Sequence, residues 1–224
     1  MNATQDYIRD YMSEPVIEPS GAALLIIDMQ YATGSRHGAL GRTLKAQGSN
    51  VADYRFARIE STVLPSIVRL RAHFHRLGQP VVHVTLGAAH SDASDAPRHM
   101  RKLLASCNNH VGSRDHEILD ELKPVAGEHV LRKTTVGAFA STAIDSLLRS
   151  LGADQLYMVG VSTNMCVETT AREAADRGYQ VTLVEDACAT TFEDLHHVTL
   201  RNFQRLFGRV AATDQVLAEL QVSA

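Results

Sequence analysis

Apolar residues along this chain fall into short unbroken runs, separated by longer stretches in which they recur every three or four positions. AALLIIDMQ (22–30), VVHVTL (81–86), HVLRK (129–133), QLYMVGV (155–161), QVTLVED (180–186) and RVAAT (209–213) have the length and content of strands. Several are apolar throughout rather than alternating, as strands covered on both faces must be. Between them, Ile59, Val63, Ile67, Leu70 and Phe74 mark a helix over 55–77 that ends at Gly78, with Pro65 at an early turn or kink. Helical patterns also cover 98–106, 141–152, 165–178, 192–207 and 214–220. Strands alternating with helices over the whole length predict a Rossmann-like three-layer α/β/α fold, its largely parallel sheet holding about six strands in a single domain, 1–224. Three stretches lack a period: a polar leader (1–20), a glycine-studded segment (31–50) read as an irregular loop over the site, and a polar insertion (87–115).

Composition narrows the function. A net charge of −3 with no basic block argues against nucleic acid as a partner and for a small-molecule substrate. No apolar stretch approaches 18 residues, so no membrane partner is expected, and the start of the chain lacks the basic-then-apolar order of a signal peptide, so a cytoplasmic location is expected. Cys107, Cys166 and Cys188 are three cysteines without a CxxC pair, which disfavours a disulfide framework or a zinc knuckle.

Candidate chemistry gathers where strands end. Asp28 follows ALLII, Lys133 closes HVLRK, and Cys166 sits just past a strand, in the first turn of a helix. In a parallel sheet all three can emerge at one edge, where ligands bind. A carboxylate can take a thiol's proton, and a neighbouring ammonium together with the helix N-terminus should favour the thiolate.

The residues LLIIDMQ (24–30), the K-x5-F spacing of KTTVGAF (133–139), GVSTNMCVETTAREAADRGY (160–179) and VTLVEDACAT (181–190) together resemble the isochorismatase-like cysteine hydrolases. This superfamily includes nicotinamidases and N-carbamoylsarcosine, ureidoacrylate and biuret amidohydrolases. The resemblance implies a catalytic triad of Asp28 as base, Lys133 as charge-setting cation and Cys166 as nucleophile. It implies a cis peptide between Val161 and Ser162, and an oxyanion hole built from the backbone N–H groups of Ser162 and Cys166. Gln30, Tyr31, Phe139 and Val161 match positions that contact substrate in the family. The implied activity is hydrolysis of a C–N bond in a small amide, carbamoyl or ureido compound, through a thioester. The implied assembly is a homodimer or homotetramer.

Other readings stay open at this point. An isochorismatase proper cleaves a vinyl ether, and its members typically lack the cysteine; a non-catalytic binding protein could share the fold. The eleven histidines invite a metal reading, but the Asp-x-His cluster of nicotinamidases has no counterpart after Tyr31, so no metal and no other cofactor is expected. His196 and His197 are neighbours on a helix and cannot share a ligand face. Arg36 and His37 could meet a carboxylate on the substrate, and Arg98, Arg101 or Lys102 could contact the substrate. Asp92 and Asp95 read as turn or capping residues.

Overall fold

In the computed structural model, which describes residues 7–11 and 17–221, the six apolar runs become six strands. They are β1 (Ala22–Ile27), β2 (Val81–Leu86), β3 (His129–Lys133), β4 (Gln155–Val161), β5 (Gln180–Ala189) and β6 (Arg209–Ala211). All pair in parallel, in the order β3-β2-β1-β4-β5-β6. The three-layer α/β fold predicted from the sequence is the one observed. The polar leader expected over 1–20 lies partly outside the described residues, and Tyr7–Tyr11 forms a 3-10 turn. Among the described residues no helix is long and apolar enough to cross a membrane.

The unbroken apolar character of β1 follows from its central position. Ala23, Leu25 and Ile27 point into one core with Ile144, Leu148, Val167, Ala171, Ala174 and Phe203. Ala22, Leu24 and Ile26 point into the other, with Ile59, Val63, Ile67, Leu70, Phe74 and Val216. Every residue of β1 is therefore buried, and truncating one of its leucines to alanine costs about 2–5 kcal/mol. The helix expected over 55–77 is real but not uniform: Asp53–Arg58 and Leu64–Arg76 are α-helical, and a π turn spans Ile59–Val63. The π turn sits directly before Pro65, whose ring and missing N–H the α-helical ladder cannot accommodate without adjustment.

The loop expected over 31–50 needs correction. Tyr31–Gly34 makes one helical turn and Ala39–Ala46 a helix of eight residues. Glycines on its buried side are needed for close approach: a Cβ at Gly41 would lie 2.1 Å from the Arg36 carbonyl oxygen. The insertion holds the expected helix, Arg98–Ser106, and packs on this segment. Cys107 joins Ala32 and Ala39 in a small apolar cluster, and Arg42 pairs with Asp115 at 2.8 Å. These two stretches without a readable period thus pack against each other. Asp92 and Asp95 serve as turn residues, accepting from the backbone N–H groups of Ser94 and Ala89.

Candidate active site

Strand order fixes where a site can form. The chain runs outward from β1 through β2 to β3, then returns to β4 on the opposite side of β1. The carboxyl ends of β1 and β4 therefore flank the switch point, where an open parallel sheet leaves a crevice. Asp28 follows β1 directly, and Ser162 follows β4. The two strands approach closely there because Gly160 has no side chain: with φ +115°, its Cβ would lie 2.0 Å from the carbonyl oxygen of Ile27. Asp28 itself takes the left-handed conformation, φ 54°, uncommon outside glycine, asparagine and aspartate and a recurrent feature of functional sites.

The sequence-predicted triad converges. Lys133 ends β3, two strands away from β1, and its side chain crosses the end of β2 to place Nζ 2.9 Å from Asp28 Oδ2. Nζ also donates to the Thr135 carbonyl at 3.1 Å. The ammonium is fully buried and the carboxylate nearly so, at 0% and 4% exposure of the side chains. Burial by itself would lower the Lys133 pKa, but the Asp28 carboxylate and Cys166 sulfur beside it raise it. Asp28 Oδ1 is buried without a hydrogen-bond partner among the described residues, leaving a lone-pair acceptor free in the site.

Cys166 is nearly buried. Burial, then the Asp28 carboxylate, push its thiol up to about 12, with Lys133 offsetting them only in part. The sequence pointed only to the groups that favour the thiolate; burial and Asp28 act the other way. The helix N-terminus and Lys133 favour the anion, but loss of water and a like charge outweigh them. The sulfur rests as a thiol, and the acceptor that can take its proton is the adjacent carboxylate.

The small polar residues before the cysteine have a mechanical role. The Val161–Ser162 peptide is cis. Ser162 Oγ accepts from Arg55 Nη1 at 2.6 Å, Thr163 Oγ1 meets His196 Nδ1 at 2.9 Å, and Asn164 Oδ1 accepts from Thr190 Oγ1 at 2.6 Å. The Cys166 carbonyl accepts from Thr170 Oγ1 at 2.7 Å. The Ser162 carbonyl takes the N–H groups of Met165 and Val167, which bracket the Cys166 amide in a π turn, Thr163–Val167. Each residue of the loop except Met165 is thus tied to a different neighbour. Arg58 extends the ties: its Nη2 reaches His196 Nε2 at 3.1 Å and the Glu185 carbonyl, and its Nε donates to the Cys188 carbonyl. Burial, then Arg58, hold the His196 pKa down to about 4, so the ring is neutral.

The remaining residues matched to substrate positions lie as follows. Gln30 is buried, and its amide is engaged internally: Oε1 accepts from the Leu86 N–H at 2.8 Å, and Nε2 donates to the Leu86 and His116 carbonyls. Tyr31 lies under the Arg114 guanidinium, 4.1 Å from its ring centre. Phe139 packs on Tyr179 and beneath Arg177, and its N–H donates to Glu173. Val161 is buried in the core. Of the loop cations, Arg36 pairs with Glu60 on the surface, and His37, Arg98, Arg101 and Lys102 are exposed. Among the described residues no group of histidine, cysteine and acidic side chains could hold a metal.

One site residue escaped the sequence reading. Arg55 is 3% exposed, and Cys166 and Asp28 are the groups that act on it most after burial itself. Its signal was present: position 55 precedes Ile59 by four, so it continues the buried stripe Ile59–Val63–Ile67 one turn backward. A cation on an apolar face is either a fault or a functional group.

The sequence matches the isochorismatase domain family over residues 22–215. The ureidoacrylate amidohydrolase RutB of Acinetobacter baylyi is 30% identical over 225 residues, covering 92% of this chain and 86% of that protein. Nicotinamidase 3 of Arabidopsis thaliana is 37% identical over 119 residues, 51% of this chain and 60% of its own. The crystal structure of an isochorismatase family protein from Desulfovibrio vulgaris superposes with a TM-score of 0.71 at 29% identity, covering 89% of this chain and 99% of that one.

Proposed function

The chain belongs to the isochorismatase family, and we propose that it is a cysteine-dependent amidohydrolase cleaving a C–N bond of a small amide, carbamoyl or ureido compound. The observation that carries this reading is the fully buried Lys133 ammonium 2.9 Å from Asp28, beside a thiol that both groups influence. The likeness to RutB, a ureidoacrylate amidohydrolase, supports the choice of bond.

The chemistry follows from the charges. Asp28 takes the Cys166 proton as the sulfur attacks the substrate carbonyl, so no free thiolate need accumulate. Lys133 keeps the carboxylate anionic and oriented. Negative charge developing on the carbonyl oxygen is received by the backbone N–H groups of Ser162 and Cys166, each such donor being worth about 2.7–4 kcal/mol. Asp28 then gives the proton to the departing nitrogen, which leaves as ammonia or an amine while the acyl group stays on sulfur. A water, deprotonated by the same carboxylate, attacks the thioester; the acid departs and the thiol regains its proton.

The test is ammonia or amine release from a panel of small amides, carbamoyl compounds and ureas. Wild type is expected to turn over at least one ureido compound, and Cys166→Ala none. Equal release by both proteins would overturn the thioester route.

A further inference from the structure

Arg55 is a buried cation with no carboxylate in ion-pair contact among the described residues; the Asp28 carboxylate acts on it from beyond that distance. The fully buried Lys133 is matched by Asp28, and the half-buried Arg71 and Arg209 by Glu128 and Glu219; the half-buried Arg58 donates instead to the Glu185 and Cys188 carbonyls. Arg55 Nε donates to the Thr33 carbonyl at 2.9 Å and its Nη1 to Ser162 Oγ at 2.6 Å. Those bonds take two of the five N–H groups a guanidinium carries and leave Nη2 without a protein partner among the described residues. Nη2 is also not one of the sealed-off unpartnered polar atoms, which are Asp28 Oδ1, Tyr54 Oη and His83 Nδ1. It is therefore not fully sealed from solvent.

A buried, unpaired charge is costly, and proteins retain one where something arrives to pair with it. The location says what arrives. One Arg55 bond ends on Ser162, the residue whose amide is proposed to receive the substrate oxygen. The other ends on Thr33, in the segment that packs against the insertion. Burial lowers the Arg55 pKa to about 10, which leaves it charged at neutral pH. A planar fork of free N–H groups suits a planar, two-oxygen anion.

We propose that Arg55 is the specificity residue of this enzyme, binding a carboxylate on the substrate a few bonds from the carbonyl that Cys166 attacks. The substrate is then a short ureido, carbamoyl or amide acid, not a neutral amide. This inference rests on the amidohydrolase reading for its turnover arm only.

The experiment compares 3-ureidopropionate with n-butylurea, a neutral compound of similar length. In wild type, kcat/KM for the acid is expected to exceed that for the neutral urea by about 100-fold or more. Arg55→Met loses the tie to Ser162 and should slow both compounds, but it should raise KM for the acid far more than for the neutral urea and so remove most of that ratio. Arg55→Lys, which keeps the charge and loses the fork, should fall between. A wild type that handles both compounds equally overturns the proposal. So does an Arg55→Met variant that slows both by the same factor, since that is the signature of a residue that only braces Ser162. Calorimetry on Cys166→Ala with the same two compounds separates this claim from the hydrolytic one. Acid-selective binding lost in Cys166→Ala/Arg55→Met supports the subsite even if wild type hydrolyses neither; no preference between the compounds refutes it.

Discussion

Removing the Lys133 charge isolates the interaction on which the site is built. In Lys133→Met the stem is roughly preserved, but the Asp28 carboxylate, 4% exposed, is left in the interior with no counter-ion. Breaking a buried pair from one side typically costs about 3–5 kcal/mol, because one charge stays behind unpaired. The Thr135 carbonyl, which accepts from Nζ at 3.1 Å, loses its donor as well, adding about 1 kcal/mol. For a chain of this size each kcal/mol lowers the melting temperature by about 2–4 °C, so a fall of roughly 8–24 °C is expected. Asp28→Asn should likewise destabilise by stranding the ammonium. The double variant Lys133→Met/Asp28→Asn strands nothing, and should recover about 2–4 kcal/mol relative to the sum of the single losses. Urea unfolding followed by circular dichroism measures all four proteins, and the midpoints are comparable provided the slopes agree. Single effects that add to within about 0.5 kcal/mol would mean the two groups do not interact, and the reasoning would fail.

Other outcomes follow from the same geometry. Because the Cys166 thiol lies near 12, its alkylation by iodoacetamide should rise about tenfold per pH unit from 7 to 9 with no plateau, and a plateau near neutrality would contradict the resting thiol. Asp28→Asn, lacking the like charge, should label faster than wild type at pH 9 while losing hydrolysis by about 100-fold or more; slower labelling would speak against that charge effect. Gly160→Ala sets a Cβ 2.0 Å from the Ile27 oxygen, so soluble yield should collapse or stability fall by over about 3 kcal/mol, and a melting temperature within about 2 °C of wild type is the opposing result. His196 is held neutral, with a folded pKa of about 4 against an unfolded one near 6.5. The unfolded chain then takes up its proton first, so stability is complete above pH 6.5 and declines by up to about 3 kcal/mol as pH falls toward 4. In His196→Gln that part of the acid slope should disappear from urea midpoints measured between pH 7 and 4.

Asp28 and Lys133 were legible in the sequence because each closes an apolar run, and a parallel sheet delivers such ends to a common edge. The strands were legible for the same reason, since β1 must be apolar on both faces. What periodicity missed is instructive. Arg55 and His196 occupy buried helix positions, but a reading that follows apolar residues alone passes over polar ones on the same stripe. The helix Ala39–Ala46 was hidden by glycines that serve close contact rather than turns. Contact between that segment and the insertion rests on Cys107 with Ala32 and Ala39, and on Arg42 with Asp115, pairings about 70 residues apart that no local pattern encodes. The upward shift of the Cys166 thiol could not be read from the sequence, because it depends on the balance of burial, Asp28 and Lys133, which only three-dimensional proximity determines.

The most direct measurement is to mix wild type with 3-ureidopropionate, quench in acid within one turnover, and weigh the peptide that carries Cys166. A mass gain equal to the acyl fragment, absent when Cys166 is serine or alanine and decaying as free acid appears, is the expected result. Turnover at full rate with that peptide unmodified at every quench time, and undiminished in the alanine variant, would contradict the account.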